Sequence, residues 1–259
     1  MEIIFIKDKN IIEEHFRKNT ELNIYSIGDL DDFFWERSKF YGIGSDESIE
    51  EIVLLYKGFD TPTFIALTDK RSDSMEELIK KIKPQLPVKF YTHLTPGLIR
   101  AFNEKGILEN FGLHYKMSLI DRSLLMNEEN ENIRRLSSED ILQIKELFRR
   151  SYPDNFFDER MLDTGKYFGY FDKQQLIAIA GIHVYSERYR VAALGNITTD
   201  IAYRGRSIAQ KLTSVLCKDL LITVDNIGLN VFTENQAAIN CYKKIGFEIT
   251  GEYEEYLLG

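Results

Sequence analysis

Residues 203–212 read YRGRSIAQKL. Arg204 and Arg206 flank Gly205, Ser207 follows, and an apolar-periodic run begins at Ile208. Ile208, Leu212, Val215, Leu216 and Leu220 recur at helical spacing, so the stretch reads as a helix start with Ser207 as a cap. The first N–H groups of a helix lack partners within it, and the helix dipole makes that end partly positive. Arginines there oppose the dipole, and a bound anion, most often a phosphate, offsets them. Upstream, VAALGNITTD (191–200) reads as a strand, and downstream IGLNVFT (227–233) reads as another. Strand, anion-type turn, helix and strand make a βαβ unit with a parallel pair, so the fold class is α/β.

Outward from this unit the second half is well patterned. SSEDILQIKELFRRSY (137–152) opens on a serine cap, and Ile141, Ile144, Leu147 and Phe148 share one helix face. YFGYF and QQLIAIAGIHVYS (174–186) are strands joined at Asp172–Lys173. AAINCYKKIGF (237–247) is a helix ended by Gly246, and EITGEYEEYLL is a final strand. DRSLLMNEENENIRR (121–135) reads as a linker. Before it lie strands in MEIIFI, EIVLLYK (51–57), TFIALT (63–68), VKFYTHL (88–94) and HYKMSLI (114–120). Helices are expected at IIEEHFRKN, SMEELIKKIK (74–83) and TPGLIRAFNEKG (95–106), the last with a threonine cap and proline at its first position. No repeat shows at the 20–50-residue scale.

Composition narrows the function class. The chain has 259 residues, enough for two domains, with 44% apolar and 29% charged residues. A net charge of −8 argues against a general nucleic-acid surface and weakly suits a cationic substrate. Cys217 and Cys241 sit in apolar helical patterns and read as reduced core thiols. No signal peptide and no apolar run of about 18–20 residues is visible, so no membrane partner is expected and a cytoplasmic location is the default. Walker, dinucleotide-type GxGxxG, HExxH, paired CxxC, EF-hand and GxSxG patterns are all missing, so no metal is expected.

What remains resembles the GNAT acyltransferase family, which uses acetyl-CoA or a related acyl-CoA. The family's pyrophosphate loop is Arg/Gln-x-x-Gly-x-Gly/Ala, and here Arg204-Gly205-Arg206-Ser207-Ile208-Ala209 stands in its place, with Ser207 at the middle glycine. NVFTENQAAINCYKKIGFE (230–248) is similar to the second signature, and HVYSERYRVAALGNITTDIAYRGRSIA looks most like the FR-forty-seven-like branch. The resemblance covers roughly residues 133–259. It implies a GNAT-like mixed, partly splayed sheet flanked by helices there. Residues 1–125 form a smaller α/β domain that lacks both signatures. That domain is expected to shape the acceptor side, and a degenerate GNAT-like domain is one form open to it.

The resemblance also assigns residues. Arg204, Gly205, Arg206, Ser207, Ile208 and Ala209 would wrap the CoA pyrophosphate. The backbone of Ile197, Thr198 and Thr199 would pair with the pantetheine arm, although an ordinary strand end reads the same way. Asn235 would contact the CoA arm, cap its helix, or do both. Tyr242 would protonate the departing thiolate, against the alternative of a half-buried helical aromatic. The family's strand glutamate falls near Val191, which cannot take a proton. His183, Tyr185 and Glu187 are nearby, and His183 has a suitable unperturbed pKa of about 6.5. A structural histidine, a water chain or a group from the first domain are the alternatives. Asp200 reads as a turn residue and Cys241 as core. Trp35 and its aromatic neighbours read as core or as pocket lining.

The leading expectation is an N-acetyltransferase with acetyl-CoA as co-substrate, an unidentified amine acceptor, and a monomeric or homodimeric state. The alternatives are a non-catalytic acyl-CoA-binding protein, or an interaction module that has lost the ligand.

Overall fold

The computed structural model describes residues 2–45, 48–69, 73–102, 106–127 and 130–259. In chain order its elements begin β1 (Glu2–Ile6), α1 (Lys9–Arg17), α2 (Thr20–Gly28), α3 (Asp32–Trp35), β2 (Ser38–Ser45), β3 (Ser48–Tyr56), β4 (Thr63–Ala66), α4 (Asp73–Ile82), β5 (Phe90–Leu94) and β6 (Ile107–Leu119). They continue with β7 (Ile133–Arg135), α5 (Ile141–Ser151), β8 (Phe168–Asp172), β9 (Gln175–Ser186), β10 (Val191–Thr199), α6 (Ile208–Leu220), β11 (Asn226–Phe232), α7 (Gln236–Lys243) and β12 (Phe247–Leu258). Two compact units result, Met1–Lys116 with Ile249–Gly259, and Met117–Glu248. Sequence order groups the last strand with the C-terminal half, whereas residues 249–258 lie in the first unit.

In the first unit the strand order is β1-β2-β3-β4-β5-β12-β6. Strands β1 to β4 pair antiparallel, β4 and β5 pair in parallel, and β12 runs antiparallel to β5. Alternation in β2 and β3 turns Tyr41, Ile43, Val53 and Leu55 to one core. Helix α4 brings Met75, Leu78, Ile79 and Ile82 to the same core at helical spacing. Phe64, Phe90 and Phe102 lie 6.0–6.2 Å apart within it.

In the second unit the order is β11-β10-β9-β8-β7. Here β7 to β10 pair antiparallel, and β10 and β11 pair in parallel. Leu176–Ile182 of β9 is buried at every position, the mark of a strand covered on both faces. Helix α5 buries Ile144, Leu147 and Phe148, and α6 buries Ile208, Leu212, Leu216 and Leu220. A capping box at Ser137 and Asp140 starts the helical segment that α5 continues.

The first unit runs strand, three helices, three strands, helix, strand, and the second runs strand, helix, three strands, helix, strand, with the same pairing senses. The mixed sheet flanked by helices expected for the C-terminal half is therefore built twice.

Three local readings change. TPGLIRAFNEKG forms a 3-10 turn at Leu98–Phe102, with 103–105 outside the described residues. Gly97 at φ +86° cannot lead Pro96 into an α-helix. Thr95 Oγ1 accepts from Thr68 N at 2.8 Å and donates to Thr68 O at 3.2 Å, so it caps nothing. The stretch 121–135 is more than a linker. It holds a 3-10 turn at Arg122–Leu124 and the short strand β7, with 128–129 outside the described residues. Strand β2 went unread, because its aromatic start merges with the DDFFWER cluster.

Candidate active site

The parallel pair β10–β11 keeps register only from Val191↔Asn226 to Leu194↔Leu229. Strand β10 continues to Thr199, so Gly195–Thr199 extend past the pairing with only β9 beside them. One edge of this half-strand thus leaves its backbone groups without a β11 partner. A bulge begins there, since Gly195 faces Gly181 and Thr198 faces Ile179, which sets Asn196 and Ile197 against Ala180 alone. Asn196 takes φ +54° to make it.

The loop follows at once. Asp200 accepts from Ala202 N at 3.0 Å and pairs with Arg150 Nη1 at 3.1 Å, which makes it the turn residue expected. Arg204 is extended, Gly205 has φ +78°, and Ser207 has φ +58°. Such alternation makes successive backbone N–H groups converge into an anion-binding concavity. An added Cβ on Gly205 would meet nothing within 4 Å, so the space above the loop is open. Ile208 is buried and Ala209 half-buried in the first turn of α6.

The two arginines differ. Arg204 donates from Nε to Thr199 O at 3.1 Å and from Nη2 to Ser151 O at 3.3 Å. It is a strut joining the loop to the ends of β10 and α5. Arg206 lies over the Tyr203 ring at 5.1 Å and stays exposed.

The cap reading of Ser207 is corrected, because its side chain makes no cap bond. The residue sits in the left-handed region instead, where a glycine is normally needed. Ser207→Gly is expected to raise stability by about 0.5–1 kcal/mol and to tighten acetyl-CoA binding severalfold. Calorimetric titration with a melting curve reads both, and weaker binding would show that the serine hydroxyl touches the phosphate.

Asn235 caps α7, accepting from Ala238 N at 3.1 Å through Oδ1. The residue is exposed, so capping and a ligand contact are compatible. Tyr242 on α7 is 9% exposed and rests 6.0 Å from the Phe247 ring. Burial drives its phenol well above the ordinary tyrosine range, so it holds its proton at every physiological pH. Burial also raises Cys217, and pushes Cys241 up to about 11, so neither thiol is a nucleophile at neutral pH.

Of the base candidates, Tyr185 is engaged with Thr223 Oγ1 at 2.9 Å and Glu187 is exposed in the turn after β9. Val191 is fully buried. His183 lies flat against Gly195, where an added Cβ would fall 2.0 Å from its ring. Desolvation lowers its pKa to about 4, which leaves it neutral at pH 7. Trp35 is half-buried, stacked on Phe40 at 5.7 Å with Lys9 over its ring.

Sequence reasoning missed Asn196, Tyr167 and Ser151. Asn196 Nδ2 donates to Tyr167 Oη at 2.9 Å and to Phe156 O at 3.3 Å. The only trace in the sequence is a polar residue after a glycine inside an apolar strand. The matching edge in the first unit is closed. All four residues of β4 pair with β5, Thr95 N reaches Ala66 O at 3.0 Å, and the Thr68–Thr95 bonds continue the seam.

Among the described residues no group of metal-type ligands is assembled, and no helix is long and apolar enough to cross a membrane. A sequence model of the Acetyltransferase (GNAT) family matches residues 130–247. The chain is 40% identical over 73 residues to the L-amino acid N-acetyltransferase AaaT of Escherichia coli, a match covering 27% of this chain and 44% of that protein. The aligned part is therefore under half of the relative's length. A solved Drosophila protein superposes with TM-score 0.76 at 13% identity, over 99% of this chain and 98% of its own. A tandem GNAT protein from the clavulanic acid biosynthesis pathway superposes with TM-score 0.57 at 10% identity, over 99% and 97%. These likenesses agree with two GNAT-like domains in one chain.

Proposed function

We propose that the chain, whose residues 130–247 form a domain of the Acetyltransferase (GNAT) family, transfers an acetyl group from acetyl-CoA to a primary amine. The observation that carries this is the open edge of Gly195–Thr199 leading directly into the concave loop at the α6 start. The pyrophosphate takes the backbone N–H groups of Arg204–Ala209. The pantetheine amides pair with Ile197, Thr198 and Thr199 as an added strand. The amine nitrogen attacks the thioester carbon, and the strand backbone polarises the carbonyl. A C–N bond forms and the C–S bond breaks, with its electron pair going to sulfur. Tyr242 gives its proton to the thiolate, and the ammonium proton leaves through His183 or water. The relative's acceptor makes an α-amine the first class to try.

Acetyl-CoA is titrated calorimetrically, and thiol release is then followed with a panel of L-amino acids and small primary amines. Binding with release for at least one amine is the expected result. No binding overturns the reading. Binding without release favours a non-catalytic acyl-CoA-binding protein, the alternative that buried Val191 at the glutamate place supports. Tyr242→Phe should lower kcat by roughly 100-fold and leave the acetyl-CoA Kd within about threefold. An unchanged kcat would remove Tyr242 from the proton path.

A further inference from the structure

The unpaired half of β10 is bordered by buried polar atoms without partners. Among the described residues of the second unit, Ser151 Oγ, Asn196 Oδ1, Thr199 Oγ1 and Thr213 Oγ1 are in this state. Asn196 and Thr199 lie on that half-strand. Ser151 is tied to it, because Arg204 and Thr198 both bond its carbonyl. An unmet buried acceptor carries the full desolvation penalty of the group, so each calls for a reason.

Asn196 is the most informative. It is 2% exposed. Tyr167 Oη gives its proton to Ile182 O at 2.8 Å, so towards Asn196 it can only accept. Phe156 O is a carbonyl and also only accepts. Two acceptors at one end of the amide fix that end as the NH2, which orients the side chain. The oxygen at the other end is left without a donor. The same residue holds a left-handed backbone at the bulge, where β10 parts from β11. An unmet acceptor and a rare backbone at one residue beside the open edge point to a ligand.

We propose that Asn196 Oδ1 accepts an N–H of the acceptor amine and turns its lone pair towards the thioester carbon, while Nδ2 anchors Tyr167 and the Phe156 turn beside it. This rests on the acetyltransferase reading. It also selects the substrate class. A neutral primary amine has two N–H groups, one for Oδ1 and one to lose as a proton after attack. A secondary amine has one N–H, which cannot serve both needs. Oδ1 itself is buried. The turn over Tyr152–Phe157, which supplies Phe156 O, is tied by local bonds, Asn155 Nδ2 to Tyr152 O at 2.9 Å and Phe157 N to Asn155 Oδ1 at 3.1 Å. Catalytic hydrogen bonds often close only in the complex.

Asn196→Gly keeps the left-handed backbone at ease and removes both ends of the amide. With the best amine of the panel and its N-methyl analogue, the variant should bind acetyl-CoA with a Kd within about threefold of wild type. Its KM for the primary amine should rise roughly 10–100-fold, and its preference over the N-methyl analogue should shrink. Tyr167→Phe leaves Oδ1 in place and should raise the amine KM by a smaller factor, with acetyl-CoA binding again unchanged. If Asn196→Gly fails to fold, Tyr167→Phe decides. An unchanged amine KM, or a loss that follows acetyl-CoA affinity and melting temperature together, overturns the proposal and leaves Asn196 structural. A wild type that acetylates no amine overturns the activity itself, and this assignment with it.

Discussion

Gly205→Val is expected to weaken acetyl-CoA binding by at least about 100-fold while the protein remains folded. Gly205 sits at φ +78°, a region that a β-branched residue enters only with strain. An added Cβ there meets no protein atom within 4 Å, so the side chain starts into open space. The fold therefore bears only backbone strain, on the order of 1–2 kcal/mol. The ligand bears far more. Valine either fills the concavity where phosphate oxygens meet the N–H groups, or forces φ negative and turns those groups away. Calorimetric titration beside a melting curve separates the two effects. A variant that binds acetyl-CoA normally would remove the loop from the CoA site.

Gly246→Ala is expected to have the largest effect on stability. Its φ is +97°, and an added Cβ would lie 1.9 Å from the backbone oxygen of Asp121. That neighbour cannot swing aside as a flexible side chain would. Gly246 O accepts from Ile120 N at 3.0 Å and from Asp121 N at 3.1 Å, so moving either segment breaks the bonds that join them. Strain, two weakened backbone bonds and a displaced chain together put the loss at about 3–5 kcal/mol. For a unit of this size the melting temperature should fall by on the order of 10 °C. A thermal or urea melt of the variant measures it, and a shift of a degree or two would mean that the Asp121 turn yields easily.

The two glycines show why some of the candidate site was legible. Gly205 and Gly246 lie in short signatures whose meaning is local, a loop that must bend left and a helix that must stop. Helix faces such as Ile144, Leu147 and Phe148 are equally local, because 3.6 residues per turn bring them together without help from elsewhere. Thr95 misled for the opposite reason. A threonine followed by proline is a good helix start, but its hydroxyl found Thr68, 27 residues away, and the helix gave way to a 3-10 turn.

By itself, then, the sequence determined the α/β class, the loop 204–209, Asn235 as a cap, and Tyr242 on the helix that follows. Each depends on residues within a turn or two of one another. Only the tertiary structure decided where β10 leaves β11, which edge stays open, and that the first unit repeats the strand pairing with its own seam shut. It alone brought Asn196 to Tyr167, 29 residues apart, and residues 249–258 to the first unit. The physical reason is that strand pairing and buried polar bonds join segments distant in the chain. Their partners are set by which faces can be covered together, and no local pattern encodes that choice.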